Sequence, residues 1–211
     1  MSEILEQIST SMQRGKSKEV KELVQTALDQ GIPAKQILDE SLLKGMSIVG
    51  EKFKNNEVFV PEVLIAARAM NMGVEVLKPA LNASGVQSVG KAIVCTVKGD
   101  QHDIGKNLVK MMLEGAGLEV IDLKTDVSKE QVVEAIKETH AKVVCLSALL
   151  TTTMSYQKEI IDAIAEAGLR DQVKVMVGGA PVTQAFADEI GADAYTADAA
   201  SCAQVARAYF N

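Results

Sequence analysis

Apolar positions change their period once along this chain, near residue 90, and the change divides it into two halves. In the first half they recur three and four residues apart. Ile4, Leu5, Ile8 and Met12 share one helix face, and Val20, Leu23, Val24 and Ala27 share a second, closed by Gly31 just past the helix end. Pro33 opens a third helix with Ile37, Leu38, Leu42, Met46, Val49 and Phe53 inward. Pro61 opens a fourth with Leu64, Ala67, Met70, Val74 and Leu77 inward. Four amphipathic helices joined by short turns predict a helical bundle over residues 1–88. The small, uncharged stretch from Asn82 to Gly90 reads as the linker.

In the second half, short apolar runs alternate with helical patterns. The strand-like runs are 91–97, 119–123, 143–147, 173–177 and 194–196. The helix-like runs are 105–114, 129–140, 153–167, 183–190 and 200–210. Such alternation predicts parallel βαβ units, and hence an α/β, Rossmann-like (flavodoxin-like) five-stranded parallel sheet over residues 89–211. Right-handed crossovers gather the loops that follow the strands at one end of that sheet, where open α/β folds bind ligands.

Composition narrows the function classes. A net charge of −6, few aromatics and no lysine or arginine cluster argue against a nucleic-acid-binding face. No apolar run is long enough to span a membrane, and the acidic start Met1-Ser-Glu-Ile-Leu-Glu6 is unlike a secretory signal, so a cytoplasmic protein with no membrane partner is expected. Cys95, Cys145 and Cys202 form no even disulfide framework and lack zinc-finger spacing. The expectation is three reduced, buried thiols.

The loop after the first strand carries the candidate chemistry. It reads Asp100-Gln101-His102-Asp103-Ile104-Gly105. A histidine there, with a carboxylate two residues earlier to orient it, has the pattern of a metal ligand with its supporting shell. Gly99 to Lys106 also resembles a phosphate loop, but five residues separate the glycines instead of four, and Asn107 replaces the required Ser or Thr. Asp100 and Asp103 would moreover repel phosphate. A conventional zinc site needs three or four protein ligands, whereas this loop offers His102 and carboxylates. A chelate that brings most of its own ligands and asks for one axial nitrogen fits better. Three later loops add small and hydroxyl-bearing residues: Ser147-Ala-Leu149-Leu-Thr151-Thr-Thr153, then Gly178-Gly179, then Thr196 to Ser201. Taken singly, each also suits ordinary turns and helix caps.

In order, Asp100-x-His102-x-x-Gly105, Ser147-x-Leu149 and Gly178-Gly179 resemble the signature of base-off, histidine-on cobalamin-binding domains. The first half is similar to the helical cap of the same proteins, notably in Val49-Gly-Glu-Lys-Phe53, Phe59-Val-Pro-Glu62 and Ala66-Ala-Arg-Ala-Met70. Together they resemble the two cobalamin modules of methionine synthase, and most of all the free-standing corrinoid proteins of methyltransferase systems. The resemblance implies a cobalamin cofactor with His102 as its lower axial ligand to cobalt, Asp100 bonded to the other ring nitrogen, and Thr153 supplying the hydroxyl of that relay. It implies contacts from Gln101, Asp103, Ile104 and Gly105. Ser147, Leu149 and Thr151 would line the tunnel for the nucleotide tail, Gly178 and Gly179 would let the tail pass, and Ala199 would stand near its end. Phe53 and Val60 match cap positions that cover the bound methyl.

The implied function is a methyl carrier between a substrate-specific methyltransferase and a second methyltransferase acting on a thiol or tetrahydrofolate, maintained by a reductive activation protein. Such a carrier holds the cofactor and is not itself the catalyst. Two other classes rank lower. A cobalamin-based sensor typically adds a DNA-binding region and an aromatic lid, often Trp, and this chain has no Trp. A subunit of an adenosylcobalamin mutase needs a large barrel for its substrate.

Overall fold

The computed structural model describes residues 2–85 and 88–210. These divide into two compact units, Met1–Ser88 with Gly115–Gly117 and Val89–Glu114 with Leu118–Asn211. Within the expected linker, Val86 and Gln87 lie outside the described residues.

The helical unit contains α1 (Glu3–Gln13), α2 (Ser17–Asp29), α3 (Ala34–Ile37), α4 (Lys44–Lys54) and α5 (Val60–Ala83). The third expected helix is thus interrupted: a π-helical stretch, Leu38–Leu43, joins α3 to α4. The wider turn keeps Ile37, Leu42, Leu43 and Met46 all inside, which a regular helix of that spacing achieves less completely. Leu5, Ile8, Met12, Val20, Val24, Ala27, Met70 and Leu77 complete the bundle core. Gly31 adopts φ +80° one residue after the cap of α2, the left-handed position that only glycine takes cheaply. Leu64 is a correction. It is exposed and Val63 is buried in its place, while Ala67, Met70 and Leu77 of the same helix are buried as expected.

The α/β unit holds a wholly parallel sheet in the order β2-β1-β3-β4-β5, formed by β1 (Lys91–Thr96), β2 (Glu119–Asp122), β3 (Val143–Ser147), β4 (Lys174–Gly178) and β5 (Ala194–Tyr195). Helices α6 (Ile104–Gly115), α7 (Lys129–Thr139), α8 (Tyr156–Glu166), α9 (Gln184–Glu189) and α10 (Ala199–Ala208) alternate with the strands. This is the flavodoxin-like order, with its topological switch between β1 and β3. One sheet face, from Ile93, Cys95, Val144, Leu146, Val175 and Val177, packs on Val132, Ile136, Ile160, Ile164 and Ile190 of the α7–α9 side. By strand alternation Val94, Thr96, Cys145, Ser147, Met176 and Gly178 point to the other face. There the Cys145 and Cys202 sulfurs meet at 4.0 Å, which places α10 on that side. All three cysteines are free and buried. Among the described residues no helix is long and apolar enough to cross a membrane.

A candidate corrinoid site at the carboxyl ends of β1, β3 and β4

Asp100 is the fixed point of the site. Its side chain is 0% exposed and accepts five hydrogen bonds. One oxygen takes His102 N at 3.0 Å and His102 Nδ1 at 2.7 Å. The other takes Leu149 N at 2.8 Å, Leu150 N at 3.3 Å and Thr153 Oγ1 at 3.0 Å. Burial pushes this carboxyl up, but the donors from His102, Leu149 and Thr153 outweigh it and hold the group well below the usual carboxylate range. An ionised carboxylate can only accept, so the facing Nδ1 must carry the proton. Nε2 is then the basic nitrogen, on a side chain that is 52% exposed. Asp100 therefore ties the β1 loop to the β3 loop across the switch point and fixes the tautomer and tilt of the ring in the same act.

The rest of the loop is held from beneath. Thr96 Oγ1 donates to His102 O at 2.7 Å, Asp126 N donates to Asp100 O at 3.0 Å, and Gly99 N donates to Asp126 Oδ1 at 2.7 Å. Gln101 accepts from Thr125, and Asp103 accepts both the backbone and the amide of Asn107, which closes the first turn of α6. Lys106, the residue of the phosphate-loop near-match, is turned away: its ammonium is buried and lies 2.6 Å from Asp122 at the end of β2. Burial raises the Asp122 carboxyl, and the bonds from Lys106 and Lys124 overcome this and lower it. A lysine committed to a buried carboxylate has no charge to offer phosphate.

Three apolar side chains of the two loops stand exposed, although polar neighbours such as Gln101 and Asp103 share the surface. Ile104 is 77% exposed, and Leu149 and Leu150 are also exposed on the facing loop. Gly105, in the first turn of α6, has no positive φ, and a Cβ placed on it would meet nothing within 4 Å. The chain's own packing gives no reason for glycine there; a flat ligand lying against the loop does. An outward nitrogen, an apolar rim and a glycine facing open space together fit a corrin above the strand ends. Gly105→Ala is accordingly expected to stabilise the cofactor-free protein by about 0.5–1 kcal/mol, through helix propensity, while weakening corrinoid binding. Urea unfolding and a spectral titration measured on the same variant separate the two effects.

The other residues singled out from sequence divide into three groups. Ser147 and Gly178 are register partners at the ends of β3 and β4, on the face toward α10. Gly179 follows with φ +127°. Thr153 lies in the turn before α8, which begins three residues later than expected, at Tyr156; that frees its hydroxyl for Asp100. Thr151 is exposed in the same loop, and Ala199 is the buried first residue of α10. Phe53, in the last turn of α4, and Val60, the first residue of α5, belong to the helical unit and are half-buried there.

Sequence reasoning missed Asp126, the Lys106–Asp122 pair and Gln157. Gln157 is fully buried, and its Nε2 donates to Leu146 O at 3.0 Å and Gly178 O at 3.2 Å, which ties the ends of β3 and β4 together. Its Oε1 has no partner among the described residues. A signal was present: Gln157, Ile160, Ile161 and Ile164 share the inward stripe of α8, and a lone amide in such a stripe needs a buried partner.

Residues 90–204 match the model of the B12 binding domain, and residues 4–78 match a second model of that description. The chain belongs to the B12-binding corrinoid proteins of methyltransferase systems. This corrinoid protein is 45% identical over 189 residues to trimethylamine corrinoid protein 1 of Methanosarcina acetivorans, covering 89% of this chain and 88% of that one. It is 41% identical to dimethylamine corrinoid protein 3 of the same organism, covering 97% and 95%. Among solved structures, the methanol:cobalamin methyltransferase complex of Methanosarcina barkeri superposes with a TM-score of 0.88 at 32% identity, over 99% of this chain and 80% of that one. Its cofactor is a cobalamin-type corrinoid. Among the described residues no group of three or more His, Cys, Asp and Glu side chains could hold a metal ion.

Proposed function

We propose that this corrinoid protein is a methyl carrier that holds its cofactor through His102 Nε2 and passes a methyl group from a methylamine-specific methyltransferase to a second methyltransferase acting on a thiol or tetrahydrofolate. The observation that carries the reading is the buried Asp100 carboxylate, which fixes the proton on His102 Nδ1 and leaves Nε2 outward at the switch point. The 41–45% identity to corrinoid proteins named for trimethylamine and dimethylamine supports the donor class. A bound corrinoid supplies a cobalt centre able to take up and release a methyl group.

What the chain contributes is ligation, tuning and shelter. Thr153 and the amides of Leu149 and Leu150 keep charge on Asp100, and Asp100 raises the donor strength of the imidazole. Ile104, Leu149 and Leu150 would keep water from a corrinoid held at this loop. Phe53 and Val60 of the helical unit are proposed to cover the methyl on the other face, and the residue 82–90 segment to let them withdraw for transfer. Substrate chemistry stays with the partners, and a reductive activation protein restores the carrier when the metal is oxidised.

The test is to load the protein with hydroxocobalamin, record its visible spectrum and repeat with His102→Ala. A retained base-off corrinoid whose spectrum shifts in the variant supports the reading. A protein that retains no cobalamin, or a spectrum indifferent to the substitution, overturns it.

A further inference from the structure

The inward stripe of α8 is apolar except at one place. Ile160, Ile161 and Ile164 lie in the core against the sheet, and Gln157, 0% exposed, stands in the same stripe at the end nearest the His102 loop. An amide there has to leave water, whereas a methionine of similar length would simply join the stripe. Its bonds show what the amide does. Nε2 donates to Leu146 O at 3.0 Å and to Gly178 O at 3.2 Å, while Oε1 has no partner among the described residues, so the side chain is held by its donor end. Gly178 O already accepts Ala148 N at 3.1 Å and is satisfied without the amide. Leu146, the second-last residue of β3, lies eleven residues before Gln157. The bond between them closes the base of the loop that runs from β3 into α8, and the bond to Gly178 ties that base to the end of β4. From Ala148 to Ser155 this loop is turn and irregular backbone, so its placement depends on how its ends are held. It carries Leu149 N, Leu150 N and Thr153 Oγ1, three of the five donors on Asp100.

We propose that Gln157 is a positioning residue for the corrinoid site: by closing this loop it keeps three donors on Asp100, and through Asp100 it holds the His102 ring in one tautomer and one orientation. Only the effect on the cofactor rests on the reading of His102 as the lower ligand; the effect on the ring belongs to the cofactor-free protein. The links are Gln157 Nε2 to Leu146 O, the loop amides and hydroxyl to one Asp100 oxygen, and the other oxygen to His102 Nδ1. With the base open the loop gains freedom, its bonds to Asp100 are made only part of the time, and the carboxylate turns from the ring. Groups that orient a ligating histidine are worth about 10–100-fold. Gln157 stands one step further out and is expected at the lower end of that range.

Gln157→Met tests it by keeping the length of the side chain and removing the donor. The chain has two histidines, and His140, the cap residue of α7, serves as the internal reference. Nitrogen NMR of the labelled imidazoles is recorded on the full-length cofactor-free protein at one pH above the imidazole range. The wild type is expected to show His102 as a single tautomer with its proton on Nδ1. The variant should show a mixture at His102, an unchanged His140, a urea midpoint close to wild type and a hydroxocobalamin affinity about ten-fold lower. Gln157→Asn, which keeps a donor on a shorter stem, should fall between the two. A Gln157→Met protein with a single tautomer and wild-type affinity overturns the proposal. So does one that binds less tightly with an unaltered tautomer, or one that no longer folds, since the residue would then serve the core and not the ring. A mixed tautomer beside undiminished affinity leaves the role of Gln157 standing and counts against His102 as the ligand, which the His102→Ala spectrum checks separately.

Discussion

Asp100→Ala is expected to cost about 3–5 kcal/mol of folding stability and to weaken corrinoid binding about 10–100-fold. The stability loss follows from what the carboxylate closes. Five donors from two loops converge on it, and its own side chain has no exposure. Truncation leaves the amides of Leu149 and Leu150 facing a void, each at a cost of about 1–3 kcal/mol before water enters to relieve part of it, while the Thr153 hydroxyl keeps only Leu150 O. The affinity loss has a separate origin. Without Asp100 the imidazole is free to place its proton on either nitrogen and to rotate, so Nε2 no longer waits in a fixed place. Asp100→Asn separates the two: it fills the void but turns one donor pair against an NH₂ group, and should fall between wild type and alanine in stability. Urea midpoints of the cofactor-free proteins give the first number and spectral titration with hydroxocobalamin the second. A variant with wild-type affinity would show that the carboxylate does not orient the ligand.

Why some of this was legible in the sequence and some was not follows from range. Strand and helix order rests on local periodicity, so the five strands and their parallel order could be read from Lys91 onward. The His102 loop was readable because its partner, Asp100, is two residues away and needs no tertiary information. Thr153 required knowledge that the β3 loop folds over the β1 loop, and only the family resemblance offered it. Lys106 and Asp122 are sixteen residues apart, on α6 and β2, and nothing local distinguishes that lysine from a solvated one. The π-helical stretch at Leu38–Leu43 was invisible for a different reason. Apolar spacing in Leu38, Leu42 and Leu43 is compatible with an ordinary helix, and the widened turn is chosen by packing among four helices. Leu64 failed because it and Val63 are adjacent apolar residues in the first turns of α5, and spacing to Ala67 and Met70 suits either of them.

Adjacent glycines are a further case in which sequence cannot assign the reason, and here the structure makes opposite predictions for neighbours. Gly179 has φ +127°, a region closed to residues with a side chain, and a Cβ built on it would stand 1.8 Å from Ala148 O. That oxygen belongs to the backbone of the β3 loop, so it cannot swing aside without shifting the segment that carries Leu149 and Leu150 to Asp100. Gly179→Ala is therefore expected to destabilise the cofactor-free protein by about 3–5 kcal/mol, from backbone strain and steric overlap together. Gly178 has no positive φ and open space, with its nearest neighbour at 3.8 Å. Gly178→Ala should change stability by less than about 1 kcal/mol, yet it adds a methyl group beside the turn before α10, where the family resemblance implies that the cofactor's tail passes, and should weaken a tailed corrinoid more than cobinamide, which has no tail. Urea unfolding of the two apoproteins and parallel titrations give the contrast. Equal stability loss in both variants would mean that the pair serves the turn alone. A stable Gly178→Ala variant that discriminates against the tail would show one glycine spent on the fold and its neighbour on the ligand.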